Sequence, residues 1–191
     1  MVKNVLAHRN SKINQERVAK EKKIEEEQLY PDQVFGTIWS EKIGSEKINL
    51  HYYGAGHTNG DSFVHFKNAN IVHVGDLVFN RRHPFVDRMA GANIKSWIKV
   101  LDKAMHTFND STTFVCGHAA DDYDIVIAKK DIKAFSNYLS KVLLYVDSQI
   151  KAGKTKAEII KVKEIPGATE WKGDGIDRPL TAAYEELTTD I

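Results

Sequence analysis

The sequence predicts an α/β fold, a mixed sheet flanked by helices, and two kinds of pattern predict it. First, short β-branched runs stop at a glycine followed by a charged or imidazole side chain. Ile71-Val72-His73-Val74 stops at Gly75-Asp76, and Thr112-Thr113-Phe114-Val115-Cys116 stops at Gly117-His118. Second, two long stretches carry apolar residues at helical spacing. Ile94, Trp97, Ile98, Leu101 and Met105 form one stripe; Ile132, Phe135, Leu139, Leu143, Val146 and Ile150 form another. A stripe of this kind marks a helix with one face on a core.

In chain order, residues 2–7 are a short apolar strand, and residues 10–28 are polar and helix-prone. Ile13, Val18 and Ile24 are too sparse there for a wide buried stripe, and the Lys/Glu blocks of residues 20–27 read as a solvated helix face. Tyr30-Pro31-Asp32 is a turn. Residues 34–39 and 48–53 read as strands, joined by a charged connection over residues 40–47. Residues 53–76 read as strand, tight loop, strand, turn, strand. Residues 77–87 are a loop, 91–107 a helix, and 108–111 the return to the strand that ends at Cys116. Trp97 belongs to the core, and Cys116 is a small buried hydrophobe.

The acidic run Asp121-Asp122-Tyr123-Asp124 suits helix capping ahead of Asp131. Residues 131–152 form the longest helix, closed by Gly153. Thr155-Lys156-Ala157-Glu158 is a capping box that opens a short helix over residues 157–161. The tail, residues 165–191, holds three turn signals and a short helix over residues 180–187. The expected organisation is one domain over residues 1–164, with the tail packed on it.

Composition narrows the functional classes. A net charge of +1 on 191 residues leaves no basic excess for nucleic acid. No apolar run is long enough to span a bilayer. The N-terminus lacks the order of a secretory signal, which makes the cytoplasm the default expectation. One cysteine cannot form an internal disulfide.

The chemistry concentrates at strand ends. The loop Gly54-Ala55-Gly56-His57-Thr58-Asn59-Gly60-Asp61 has the backbone freedom to push His57 outward. Asp76 and His118 follow the two apolar runs. Imidazole and carboxylate together suit zinc, and also iron or manganese. Beyond Asp76, His83 either reaches a substrate or caps local backbone before Pro84. Arg81 and Arg82 offer guanidinium groups for a carboxylate or phosphate, against the plainer reading of solvent-exposed arginines.

GAGHTNGDS, VHVGDLVF and FVCGHAADD, in that order and spacing, resemble the second, third and fourth metal-binding motifs of the metallo-β-lactamase fold superfamily. The resemblance runs from about residue 4 to about residue 160 and implies a four-layer αββα sandwich with a two-metal centre between its sheets. By motif match, His57 resembles the third histidine of one metal site, Asp76 the bridging carboxylate, and His118 the final histidine of the other. The segment 77–87 resembles the loop that walls the substrate cleft. The family's first motif, His-x-His-x-Asp-His, is missing: no two of the eight histidines stand two apart.

The chain therefore reads as the C-terminal portion of the sandwich, a truncated metal-dependent hydrolase that is weak or inactive alone, with a small-molecule substrate left open. The alternatives are a non-catalytic relic or binding module, and one chain of a two-chain enzyme. Lacking the first sheet, the strands would expose an apolar face. A homodimer covering that face is the expected partner arrangement.

Overall fold

A computed structural model describes residues 4–189. Val2 and Lys3, at the start of the expected first strand, lie outside the described residues, as do the last two residues of the tail.

The architecture is a six-stranded mixed sheet with helices against it, preceded by a small strand–helix–strand unit. That unit comprises β1 (Leu6–His8), α1 (Arg9–Lys22) and β2 (Gln33–Phe35), with β1 and β2 paired in parallel. Helix α1 buries only Ala19, as its polar sequence requires. It stops at Lys23, whose left-handed backbone (φ 57°) turns its N–H to the carbonyls of Ala19 and Lys20. The single strand expected over residues 34–39 is in fact broken at Gly36-Thr37. Its first part joins β1, and its second starts the large sheet.

The large sheet runs in spatial order β3 (Ile38–Ile43), β4 (Glu46–His51), β5 (Phe63–Phe66), β6 (Ile71–Asn80), β7 (Thr113–Ala119) and β8 (Val126–Ile127). Only β6 and β7 are parallel neighbours, and α2 (Ile94–Thr107) makes the crossover between them. The charged connection expected over residues 40–47 is a β-hairpin instead. Glu41 pairs with Ile48 and Ile43 with Glu46 around Gly44-Ser45. Its charges are tolerated because the hairpin stands at the sheet edge, open to water.

Helices α2 and α3 (Lys129–Lys151) cover one sheet face. Phe63, Val72, Val74, Phe114 and Cys116 form its buried side, with Trp97, Leu101, Phe135 and Leu139 against them. The buried stripe of α2 is rotated from the expected one: Val100 and Ala104 are buried, whereas Ile98 and Met105 stand at its margin. The tail contributes α4 (Lys156–Ile159) and α5 (Asp177–Thr189). Leu180, Ala182 and Ala183 of α5 pack into the same core. Glu186 is also buried there, and its carboxylate accepts from the Ile94 and Lys95 N–H groups at 2.7 and 2.9 Å. A carboxylate on two orphan donors at a helix start is favourable in both hydrogen bonding and dipole terms. The acidic run before α3 does not cap that helix. Asp131 does, accepting from the Ala128 N–H at 3.1 Å, while Asp124 bonds the Val126 N–H.

Among the described residues, no helix covers the opposite sheet face. Strand alternation and register put Trp39, Ile48, Leu50, Val64, Phe66, Ile71 and Val115 on it, and all but Leu50 remain partly exposed. The β1–α1–β2 unit docks at the end of the sheet. His8 stacks on Tyr52 at 3.8 Å, and the Asn10 side chain donates to the Asn59 carbonyl at 2.7 Å.

Candidate functional site

Strand β6 does not end at Asp76, as the sequence pattern suggests; it continues to Asn80. What sets Asp76 apart is a bulge. The β6–β7 register shifts between His73 and Gly75 and again between Gly75 and Phe79. Gly75 takes φ 50°, a conformation that side-chain-bearing residues rarely adopt. The bulge re-aims the Asp76 carboxylate toward β7, where Gly117 leaves room for it. A Cβ on Gly117 would lie well inside van der Waals contact with Asp76 Oδ1. The apolar run Leu77-Val78-Phe79, expected as loop, is buried strand because the bulge restores pairing at Phe79–His118.

His57 stands on the loop between β4 and β5. Burial pushes the Asp61 carboxyl above its usual range, against the pull of the Thr58 backbone and side-chain hydrogen bonds. Asp61 accepts from the Thr58 N–H at 2.7 Å and from the Thr58 hydroxyl at 2.8 Å, closing the loop on itself. Sequence reasoning passed over Asp61 as a functional support; the signal was its spacing three residues after Thr58, the reach of a side-chain-closed turn. The loop is further held by Asn10 and Ser11 of α1.

Three predicted residues converge. His57 Nε2 lies 3.7 Å from Asp76 Oδ2, and His118 Nε2 lies 3.5 Å from Asp76 Oδ1. His57 Nδ1 is 2.9 Å from the Phe85 carbonyl. A carbonyl only accepts, so Nδ1 carries a proton, and in the neutral tautomer Nε2 presents a lone pair. The His118 ring stacks on Phe79, centroids 5.1 Å apart. The three line a cleft of about 290 Å³ with Arg82, His83 and Arg178.

His83 borders this cleft but does not cap local backbone. It is buried, its Nδ1 is 2.9 Å from the Tyr138 hydroxyl, and burial holds its pKa below the ordinary histidine value. Arg81 turns away from the cleft. It pairs with Asp131 at 3.8 Å and Glu170 at 3.7 Å, and lies over the Tyr123 and Trp171 rings. His51 and His65 sit together elsewhere, around Phe108, with ring centroids 6.2 Å apart. His73 is exposed on the open face.

The donor chemistry suits a first-row metal, but the donor count falls short. Two ligands at about 2.0–2.1 Å on a tetrahedral zinc stand about 3.3–3.4 Å apart, close to both separations at Asp76. Each pair nevertheless supplies only two donors, and among the described residues no group of three or more His, Cys, Asp or Glu is placed to hold a metal ion. A catalytic zinc keeps three protein ligands.

The family model for the metallo-beta-lactamase superfamily matches residues 4–118. The chain belongs to this superfamily. Among curated relatives, metallo-beta-lactamase IND-1 of Chryseobacterium indologenes is 27% identical over 77 residues, which is 40% of this chain and 32% of the relative. Among solved structures, a metallo-beta-lactamase from Pontibacter korlensis superposes with a TM-score of 0.57 at 20% identity, covering 72% of this chain and 58% of the other. An inverting sec-alkylsulfatase from a Pseudomonas species superposes with a TM-score of 0.62 at 13% identity, covering 84% of this chain and 27% of the other. These structural likenesses support the fold alone. The chain thus spans about a third of the curated relative's length and less than two thirds of either structure's. Among the described residues, no helix is long and apolar enough to cross a membrane.

Proposed function

We propose that this superfamily member carries part of the metal centre of a metal-dependent hydrolase, with His57, Asp76 and His118 as its ligands, and that it is weak or inactive alone. The observation that carries the reading is the facing of acceptors. The Asp76 carboxylate is an acceptor, and so is the Nε2 of a neutral His57. They confront one another at 3.7 Å, too far for a hydrogen bond. In that tautomer the two acceptors repel unless a cation stands between them, either a metal ion or a second proton on His57. The other carboxylate oxygen stands 3.5 Å from His118 Nε2, as that of a bridging ligand would.

Zinc is the first choice for this donor set, with iron or manganese compatible. A bound zinc would lower the pKa of a coordinated water to about 7. What this chain's residues do is narrower. Phe85 fixes the His57 tautomer, Phe79 orients His118, and Gly117 admits the Asp76 carboxylate. With two donors per ion, the remaining ligands come from a further polypeptide segment.

We also propose that a second copy covers the open sheet face, giving a homodimer. The partly exposed Trp39, Ile48, Phe66 and Ile71 supply the apolar surface.

The test is metal content and affinity. Purified without chelator and titrated with zinc, the chain should bind it weakly and lose that binding on Asp76→Asn. Zinc affinity unchanged by that substitution would overturn the reading.

A further inference from the structure

We propose that the cleft recognises its substrate through an oxyanion group held by Arg82 and Arg178, so that the substrate class is a small anionic compound bearing a carboxylate, sulfate or phosphate. The word substrate rests on the hydrolase reading above; the oxyanion site itself does not.

Two adjacent arginines have opposite fates. Arg81 has positive φ (59°), and its guanidinium is held by two carboxylates and two aromatic rings. Arg82, one residue on, is exposed, lines the cleft, and makes no ion pair among the described residues. Arg178 comes from α5, far along the chain and outside the segment that the family model matches. It too makes no ion pair among the described residues. Its guanidinium carbon lies 5.9 Å from the centre of the Phe85 ring. Phe85 is the residue whose carbonyl fixes His57, so one residue positions both an imidazole and a guanidinium at the same cleft.

Charge decides the side on which an anion sits. Arg82 also borders a second cleft of about 320 Å³, which Asp121 and Asp122 make acidic. On the His57 side the carboxylates of Asp76 and Asp174 are matched by the guanidinium groups of Arg82 and Arg178, whereas the second cleft sets Asp121, Asp122 and Asp174 against Arg82 and Lys172. Guanidinium groups bind carboxylate, sulfate and phosphate through paired N–H donors in a planar fork. The volume stands at the low end for ligand pockets, which limits the compound to a small one. Phe79 and Phe85 give its apolar part a wall.

The experiment titrates chelator-treated protein with inorganic phosphate at constant ionic strength, followed by NMR. Saturable binding is expected, with shifts at Arg82, Arg178 and the His57 and His118 rings. Arg82→Gln and Arg178→Gln should each weaken binding about tenfold, roughly one lost charge-assisted contact, whereas Lys172→Gln on the second cleft should not. Absence of saturable binding, full affinity in the double arginine variant, or equal loss in Lys172→Gln would each overturn the proposal. Zinc titration of the same proteins separates the two ideas. In the wild-type chain, zinc binding without saturable phosphate binding would overturn the arginine site alone, and saturable phosphate binding without zinc binding would overturn the metal reading alone.

Discussion

His57 and Asp76 face one another across 3.7 Å with the His57 proton committed elsewhere, to the Phe85 carbonyl. Ligand histidines commonly send their second nitrogen to a carbonyl or carboxylate in this way, which fixes ring orientation and raises basicity. The arrangement is built by elements distant in sequence: a loop tied to α1, a bulged central strand, and the segment around Phe85. The Trp97 ring stands 6.0 Å from the His57 ring and donates its own N–H to the Leu77 carbonyl. The core helix thereby backs the imidazole directly.

Asp76→Asn should lower zinc affinity by more than about 100-fold, beyond the range typical of losing an outer-shell partner. Asn keeps the shape of the side chain but removes the charge and one acceptor oxygen. His118→Gln should cost less than Asp76→Asn, since it leaves the His57–Asp76 pair in place. Calorimetric zinc titration of the three proteins checks the order.

Gly117→Ala should disturb the site more than the fold. The new methyl meets the Asp76 carboxylate first, with the Gly75 backbone carbonyl carbon 3.1 Å away beyond it, so Asp76 must rotate away from His118. The expected result is zinc binding reduced as far as in Asp76→Asn, with a loss of stability within the about 1–3 kcal/mol of an overpacked site. Zinc and urea titrations of the one variant read both. Full zinc affinity would show that the carboxylate does not need its observed position.

The layout of the sheet and helices was legible in the sequence where periodicity is strong. The apolar stripes of α2 and α3 and the strand runs before Asp76 and His118 announce themselves in single segments. The convergence of His57, Asp76 and His118 was legible through motif order. Three features were not. The strand through Asp76 reads as ending because Gly75 looks like a terminator; only pairing with β7 shows it to be a bulge. The hairpin around Gly44 was hidden by charge, since Glu41, Lys42, Glu46 and Lys47 stand at a solvated edge where β-propensity rules weaken. Arg178 could not be linked to the cleft, because its placement depends on α5 docking against α3, a contact between segments with no shared local pattern.

Glu186→Ala should destabilise the fold by about 2–3 kcal/mol. Glu186 is nearly inaccessible, bonds two backbone N–H groups at the start of α2, and stands 3.8 Å from Arg88. Its removal takes the carboxylate from the buried Ile94 N–H, which costs more than the bond itself contributes. Urea denaturation gives the size of the effect. A loss near zero would mean that water replaces the carboxylate without penalty.

The open face predicts self-association. Partly exposed apolar side chains across β3 to β7 form a continuous surface of the kind that soluble chains seldom leave bare. Sedimentation at micromolar concentration should show a dimer, and Phe66→Lys, between Ile48 and Ile71 on the face, should convert it to monomer with the helices intact by circular dichroism. A monomeric wild-type protein would remove the homodimer.

Stability should fall as the medium becomes mildly acidic, through buried histidines rather than carboxylates. His51 and His83 are both buried, and burial is the first cause holding each pKa below the ordinary value of 6.5. For His51, the nearby His65 and Lys67 add to the effect. Since the folded pKa is depressed, the unfolded chain binds more protons between the two values, and stability rises with pH across that window. The contribution is fully present above the unfolded value and is lost as pH falls toward the folded one. Urea midpoints measured from about pH 7.5 down to about pH 5.5 should therefore decline. His51→Gln should flatten that decline, because glutamine does not titrate. A pH profile that is equally steep in His51→Gln and wild type would place the titrating group elsewhere, with His83 beside Tyr138 the next residue to replace.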